Sequence, residues 1–81
     1  MVTVLRADGL RVVIYVNDHL PAHVHVHVFG DGEAKINLVE AQGGPNLIWA
    51  YNMTRGEVRC AIGLVVKQHE FLLRRWEDIH G

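Results

Sequence analysis

The run His23-Val24-His25-Val26-His27-Val28-Phe29-Gly30-Asp31-Gly32-Glu33-Ala34-Lys35-Ile36-Asn37-Leu38 decides the fold. It opens in strict alternation, histidine on one side and valine on the other. Strand side chains repeat every two residues, so this is a strand with two unlike faces. Gly30-Asp31-Gly32 has the chemistry of a turn, and Glu33–Val39 returns as the partner strand. A two-residue turn at Asp31-Gly32 would set Val26 opposite Asn37 and His25 opposite Leu38, mixing polar and apolar residues on both faces. A three-residue turn, Gly30 to Gly32, sets Val24 opposite Leu38, Val26 opposite Ile36 and Val28 opposite Ala34. His25 then faces Asn37, and His27 faces Lys35. A slip of one residue turns every side chain over. The three-residue turn is therefore expected, with the valines in the core and the histidines on the other face.

Toward the N-terminus, Val2–Arg6 and Leu10–Val16 are rich in β-branched residues and flank Asp8-Gly9, a strong hairpin signal. Toward the C-terminus, Gln42-Gly43-Gly44-Pro45 breaks the chain, and Leu47–Tyr51 reads as one more strand. Thr54-Arg55-Gly56-Glu57 matches a capping box, in which the Thr54 hydroxyl accepts from the Glu57 amide and Glu57 reaches back. A helix is expected from about Arg55 to about Asp78. Its apolar stripe, Val58, Ile62, Val65, His69, Leu72, Trp76 and Ile79, follows one helical face and should lie across the valine face of the sheet. The fold class is α+β: a small antiparallel sheet of about 4–5 strands with one long C-terminal helix packed on one face.

The chain has 81 residues, which suits a single domain, and at 49% hydrophobic it is too apolar to be disordered. Its one cysteine, Cys60, excludes an internal disulfide and a cysteine-built zinc finger, and a packing role is expected for it. A small chain without such staples suits a reducing cytoplasm, or an oligomer that adds a second core. The net charge of −1 advertises no nucleic acid globally. The N-terminus alternates and meets Asp8-Gly9 too early for a signal peptide, and no apolar run approaches a membrane span.

Candidate chemistry centres on Asp18–His27, which holds His19, His23, His25 and His27 together with Asp18 and Pro21. Histidines two apart on a strand point the same way and lie about 6.6 Å apart, close enough to share an ion. Three in a straight strand span about 13 Å and cannot. A single site would pair His23 with His25 and draw further ligands from His19 and Asp18, with Pro21 fixing the bend between them. Glu33 is a further candidate across the hairpin. Zinc or another divalent transition metal suits such a set. Acid–base chemistry without metal, RNA cleavage included, would use the same histidines, and a solvated or structural histidine face is the bland alternative. No nucleophile is evident, because the chain contains no serine. Arg55 and Arg59 form a weak candidate patch for RNA on a helix whose other charges balance them. His69 reads as a core or interface histidine, while Trp49, Tyr51 and Trp76 read as core or dimer contacts.

The run Asn17-Asp18-His19-Leu20-Pro21-Ala22-His23-Val24-His25-Val26 resembles the signature of the bacterial domain-of-unknown-function family 4160. Thr3-Val4-Leu5-Arg6 with Asp8-Gly9, Gly32-Glu33-Ala34-Lys35, and a closing helix ending near Trp76 and His80-Gly81 also fit. The resemblance covers nearly the whole chain. The family pattern usually has Pro-Pro where this chain has Pro21-Ala22, and another polar residue at His27, which favours His19, His23 and His25 as site residues. The stretch Glu40–Asn52 fits the pattern poorly. The resemblance implies a small bacterial protein, often encoded beside a second small protein, in a suspected toxin–antitoxin-like pair. It brings neither a reaction nor a metal.

Two functions follow as expectations. The first is an interaction module that pairs with the neighbouring gene's product, its histidines structural or holding a metal. The second is a small ribonuclease or other hydrolase that uses His19, His23 and His25. A homodimer formed through the helix stripe is a third, simpler outcome.

Overall fold

The computed structural model describes residues 2–39 and 44–81. Five strands follow one another: β1 (Val2–Ala7), β2 (Leu10–Ile14), β3 (His23–Val28), β4 (Glu33–Asn37) and β5 (Asn46–Tyr51). They form one antiparallel sheet in the order β1-β2-β3-β4-β5. Of the expected break at Gln42-Gly43-Gly44-Pro45, Gln42 and Gly43 lie outside the described residues.

The first hairpin is as the sequence requires. Ala7 pairs with Leu10, and the two turn residues have positive φ, 55° at Asp8 and 76° at Gly9. That combination matches the right-handed twist of the flanking strands.

The second hairpin corrects the expected register. Val24 pairs with Ile36, His25 with Lys35, Val26 with Ala34 and His27 with Glu33. The loop has three residues, but they are Phe29-Gly30-Asp31, one position earlier than expected, and the Val28 N–H donates to the Gly32 carbonyl at 3.1 Å. The cause is Gly32, which is buried at the sheet rather than spent in the turn. A Cβ there would lie 2.3 Å from Val28 Cγ2 and 2.8 Å from the Asn52 carbonyl oxygen. The two-residue shift keeps the parity, so the valines still share a face with Ala34 and Ile36. What changes is the partner of each histidine, and Glu33 now lies beside His27.

The C-terminal helical segment is two adjacent helices, α1 (Arg55–Lys67) and α2 (His69–His80), parted only at Gln68, where Gln68 N–H still donates to the Leu64 carbonyl at 3.0 Å and Leu72 N–H to the Gln68 carbonyl at 2.9 Å. The backbone departs from helical dihedrals at Gln68, at φ −105° and ψ 22°. Beside it, His69 Nε2 hydrogen-bonds to the carbonyl of Leu38, just beyond β4, which ties the junction to the sheet. The capping box is formed: Glu57 N–H donates to Thr54 Oγ1 at 3.1 Å, and Thr54 N–H donates to Glu57 Oε1 at 2.8 Å.

Val12, Ile14, Val24, Val26, Ile36 and Leu38 line one face of the sheet and pack with Ala61, Leu64, Val65, Leu72 and Trp76 of the helices. Burying each such aliphatic side chain stabilises by about 1.5–3 kcal/mol, and together they hold the sheet against α1 and α2. Cys60 is exposed on α1, not packed as expected. Among the described residues no helix is long and apolar enough to cross a membrane.

Candidate metal centre

Asp18, His23 and His25 converge. One ligand atom from each lies within 4.8 Å of the others. His23 Nε2 is 3.1 Å from Asp18 Oδ2, and His25 Nε2 is 3.8 Å from the same oxygen. Ligand atoms about 2.0–2.1 Å from a tetrahedral zinc ion stand roughly 3.3 Å from one another, so the two pairs with Asp18 are already near that spacing, while the widest separation in the group would have to close by up to about 1.5 Å.

Local structure accounts for the convergence. Beyond β2 the chain turns at once, with Asp18 N–H donating to the Tyr15 carbonyl at 3.0 Å and Tyr15 N–H to Asp18 Oδ2 at 3.4 Å. That turn sets the carboxylate over the start of β3. The Leu20–Pro21 peptide is cis, and Leu38 N–H donates to the Ala22 carbonyl at 2.8 Å, so the returning chain is fastened beyond β4. His23 and His25 then follow two apart on β3, on one side of the strand.

Each imidazole is held through its other nitrogen. His23 Nδ1 lies 2.9 Å from the Pro21 carbonyl oxygen, and His25 Nδ1 lies 2.8 Å from Glu33 Oε2. A carbonyl or carboxylate oxygen only accepts, so both Nδ1 atoms carry the hydrogen. Both Nε2 atoms are left to face Asp18. Metal-bound histidines are oriented in this way, by a carbonyl or carboxylate on the far nitrogen.

His25 is held below the usual histidine range. Burial is the main cause, and the His23 ring adds to it, while the Glu33 hydrogen bond and the charges of Asp18 and Glu33 pull the other way. Its neutral form therefore presents a lone pair on Nε2. Aromatic rings surround the pair: Tyr15 and Trp49 lie 4.7 Å and 5.9 Å from the His25 ring, and Trp76 lies 5.2 Å from the His23 ring, centroid to centroid. The Tyr15 phenol is raised above its usual value, first by burial and then by the charges of Glu33 and Asp18, so it stays protonated.

Of the expected candidates, Asp18, His23 and His25 come together. His19 is exposed and contributes no atom to the group. His27 shares the face but stands apart, its Nε2 3.3 Å from the Tyr15 hydroxyl and 4.0 Å from Glu33 Oε2. Glu33 reaches the site from behind His25. Arg55 and Arg59 are exposed on α1, where they border a shallow surface with Met53, Val58 and Ile62. Sequence reasoning missed Tyr15, although its parity with Arg11 and Val13 on β2 carried the signal. Trp49, expected as a core or dimer contact, pairs with Lys35 beside a register shift and sets its ring against His25.

The sequence model of one protein family, described as Domain of unknown function (DUF4160), matches residues 9–77. No curated protein and no solved structure matches the chain.

Proposed function

This chain belongs to the family described as Domain of unknown function (DUF4160), and for it we propose a metal-binding domain in which Asp18, His23 and His25 hold one divalent transition-metal ion. The observation that carries the reading is the direction of the ring nitrogens. Both histidines commit Nδ1–H to an oxygen and turn Nε2 toward one carboxylate oxygen. A cation between them satisfies all three groups, whereas a proton satisfies the His23–Asp18 pair alone. Two imidazoles and a carboxylate suit zinc or iron(II) and leave coordination positions open for water or a ligand.

The test is elemental analysis of untagged, purified protein beside the double variant His23→Ala/His25→Ala. About one equivalent of zinc or iron in the wild type, absent from the variant, is the expected result. No metal after incubation with either ion, in folded wild-type protein, overturns the reading.

The same reading includes a bacterial, cytoplasmic interaction module of a two-gene, toxin–antitoxin-like system. Its support is the edge strand β5, which exposes Ile48, Trp49 and Tyr51 without a charged residue, since an open apolar edge accepts a partner strand or a second copy. A hydrolase or ribonuclease is the second reading. It is favoured by the open coordination positions, where a metal-bound water would stand on the same face as Tyr15 and His27. Growth arrest on expression, relieved by His23→Ala, supports the hydrolase. Co-purification with the neighbouring gene's product, without turnover, supports the module.

A further inference from the structure

The face that carries the histidines has a second polar group at its other end. Cross-strand pairing sets Arg6 opposite Arg11, Arg11 opposite His27, and His27 opposite Glu33, in one row over β1 to β4. The row lies two residues along β3 from His25, roughly 6.6 Å by the rise of a strand. Like charges directly opposite on a sheet destabilise it. Among the described residues no carboxylate stands within ion-pair distance of either arginine. The nearest acid in the row, Glu33, is engaged by His25 Nδ1. Arg6 and Arg11 thus stand on paired strand positions lining one cleft, with no carboxylate paired to either among the described residues.

They border a cleft of about 610 Å³ between the two hairpin turns, lined among others by Arg6, Arg11, His27, Phe29 and Gly30. Phe29 stands at its rim with its side chain wholly exposed, which no packing within the domain explains. His27, whose Nε2 lies 3.3 Å from the Tyr15 hydroxyl, adds an imidazole to the lining of the cleft. Paired guanidinium forks match the oxygens of a phosphate, and an aromatic ring at the rim offers a stacking surface to an organic group.

We propose that this cleft binds an organic phosphate ester, its phosphate held by Arg6, Arg11 and His27 and its organic group against Phe29. The ester lies on the same sheet face as Asp18, His23 and His25. Its approach to a bound metal rests on the metal-binding reading, but its capture by the arginines does not.

The experiment is a titration of the folded protein in excess EDTA, followed by amide and arginine side-chain NMR shifts. The probes are inorganic phosphate and adenosine 5′-monophosphate, with chloride at equal ionic strength as the control. Both probes should give saturable shifts at Arg6, Arg11 and Phe29, and chloride should not. Arg6→Gln and Arg11→Gln, each checked for native shift dispersion, should weaken both probes about tenfold. Phe29→Ala should weaken the nucleotide and leave inorganic phosphate unchanged. Absence of saturation, or saturation indifferent to the arginine variants, overturns the cleft. Equal binding of the nucleotide by wild type and Phe29→Ala overturns the ester. Because EDTA removes metal from every arm, failure here is separate from failure of the metal site, which metal content alone decides.

Discussion

His25 donates its Nδ1–H to Glu33 Oε2 at 2.8 Å across the β3–β4 hairpin. The bond fixes the ring's tautomer and turns Nε2 toward Asp18. Glu33 is placed for this by the register that pairs it with His27, one β3 repeat from His25. Glu33→Ala should leave the fold intact and weaken metal binding by about 10–100-fold, the usual effect of losing such an outer partner. Competition with a chromophoric chelator measures it. Unchanged affinity would remove Glu33 from the site.

The metal-free protein should lose stability on acidification partly through His25. Burial lowers this histidine in the native state, whereas in the unfolded chain it titrates near its ordinary value of about 6.5. As pH falls below about 6.5 the unfolded chain takes up the proton first, which favours unfolding. The contribution of neutral His25 is complete above that pH and is lost through the window beneath it, down to the lowered native value. Urea unfolding in EDTA at about pH 7.5 and about pH 5 should show a smaller acid loss in His25→Gln than in wild type. Equal losses would refute the assignment to His25.

The sheet and the place of the candidate site were legible because period-two alternation is a one-dimensional signal. Val24, Val26, Ile36 and Ala34 declare their shared face by parity alone. Register was not, because shifts of two residues preserve parity, and only the close approach of Gly32 to Val28 and Asn52 chooses between them. The helix stripe was legible through Val65, Leu72 and Trp76, but the junction at Gln68 depends on the contact of His69 with Leu38, thirty-one residues away in sequence. The choice of Asp18 over His19 depends likewise on a turn closed by hydrogen bonds to Tyr15.

Gly32→Ala should therefore be costly although the substitution is small. The new methyl would press on the Asn52 backbone carbonyl as well as on Val28, so the sheet edge must move. A loss of about 1–3 kcal/mol is expected, as for other overpacked sites. Gly30→Ala meets open space and bears only the strain of a φ of 95°. Denaturant unfolding of the two variants should put Gly32→Ala below wild type and shift the β3–β4 cross-strand amide contacts. A Gly32→Ala protein as stable as wild type, with unchanged contacts, would contradict the register.

Metal should also stabilise the folded chain, because its ligands come from two segments that the unfolded chain does not hold together. Asp18 belongs to the turn after β2, while His23 and His25 belong to β3. A ligand that binds only the native state adds about 2.7 kcal/mol at a hundred times its Kd. For a domain of this size each kcal/mol raises Tm by roughly 4–8 °C. Zinc added to EDTA-stripped protein should thus raise Tm well beyond scatter. Asp18→Asn is the informative variant. Its amide oxygen can still accept from Tyr15 N–H and keep the turn, but the negative charge that a cation needs is gone. Asp18→Asn should retain most of the metal-free Tm and lose most of the zinc-induced rise. If it keeps the full rise, zinc binds elsewhere, with exposed His19 the first place to look. If wild type shows no rise, the three groups meet without a metal.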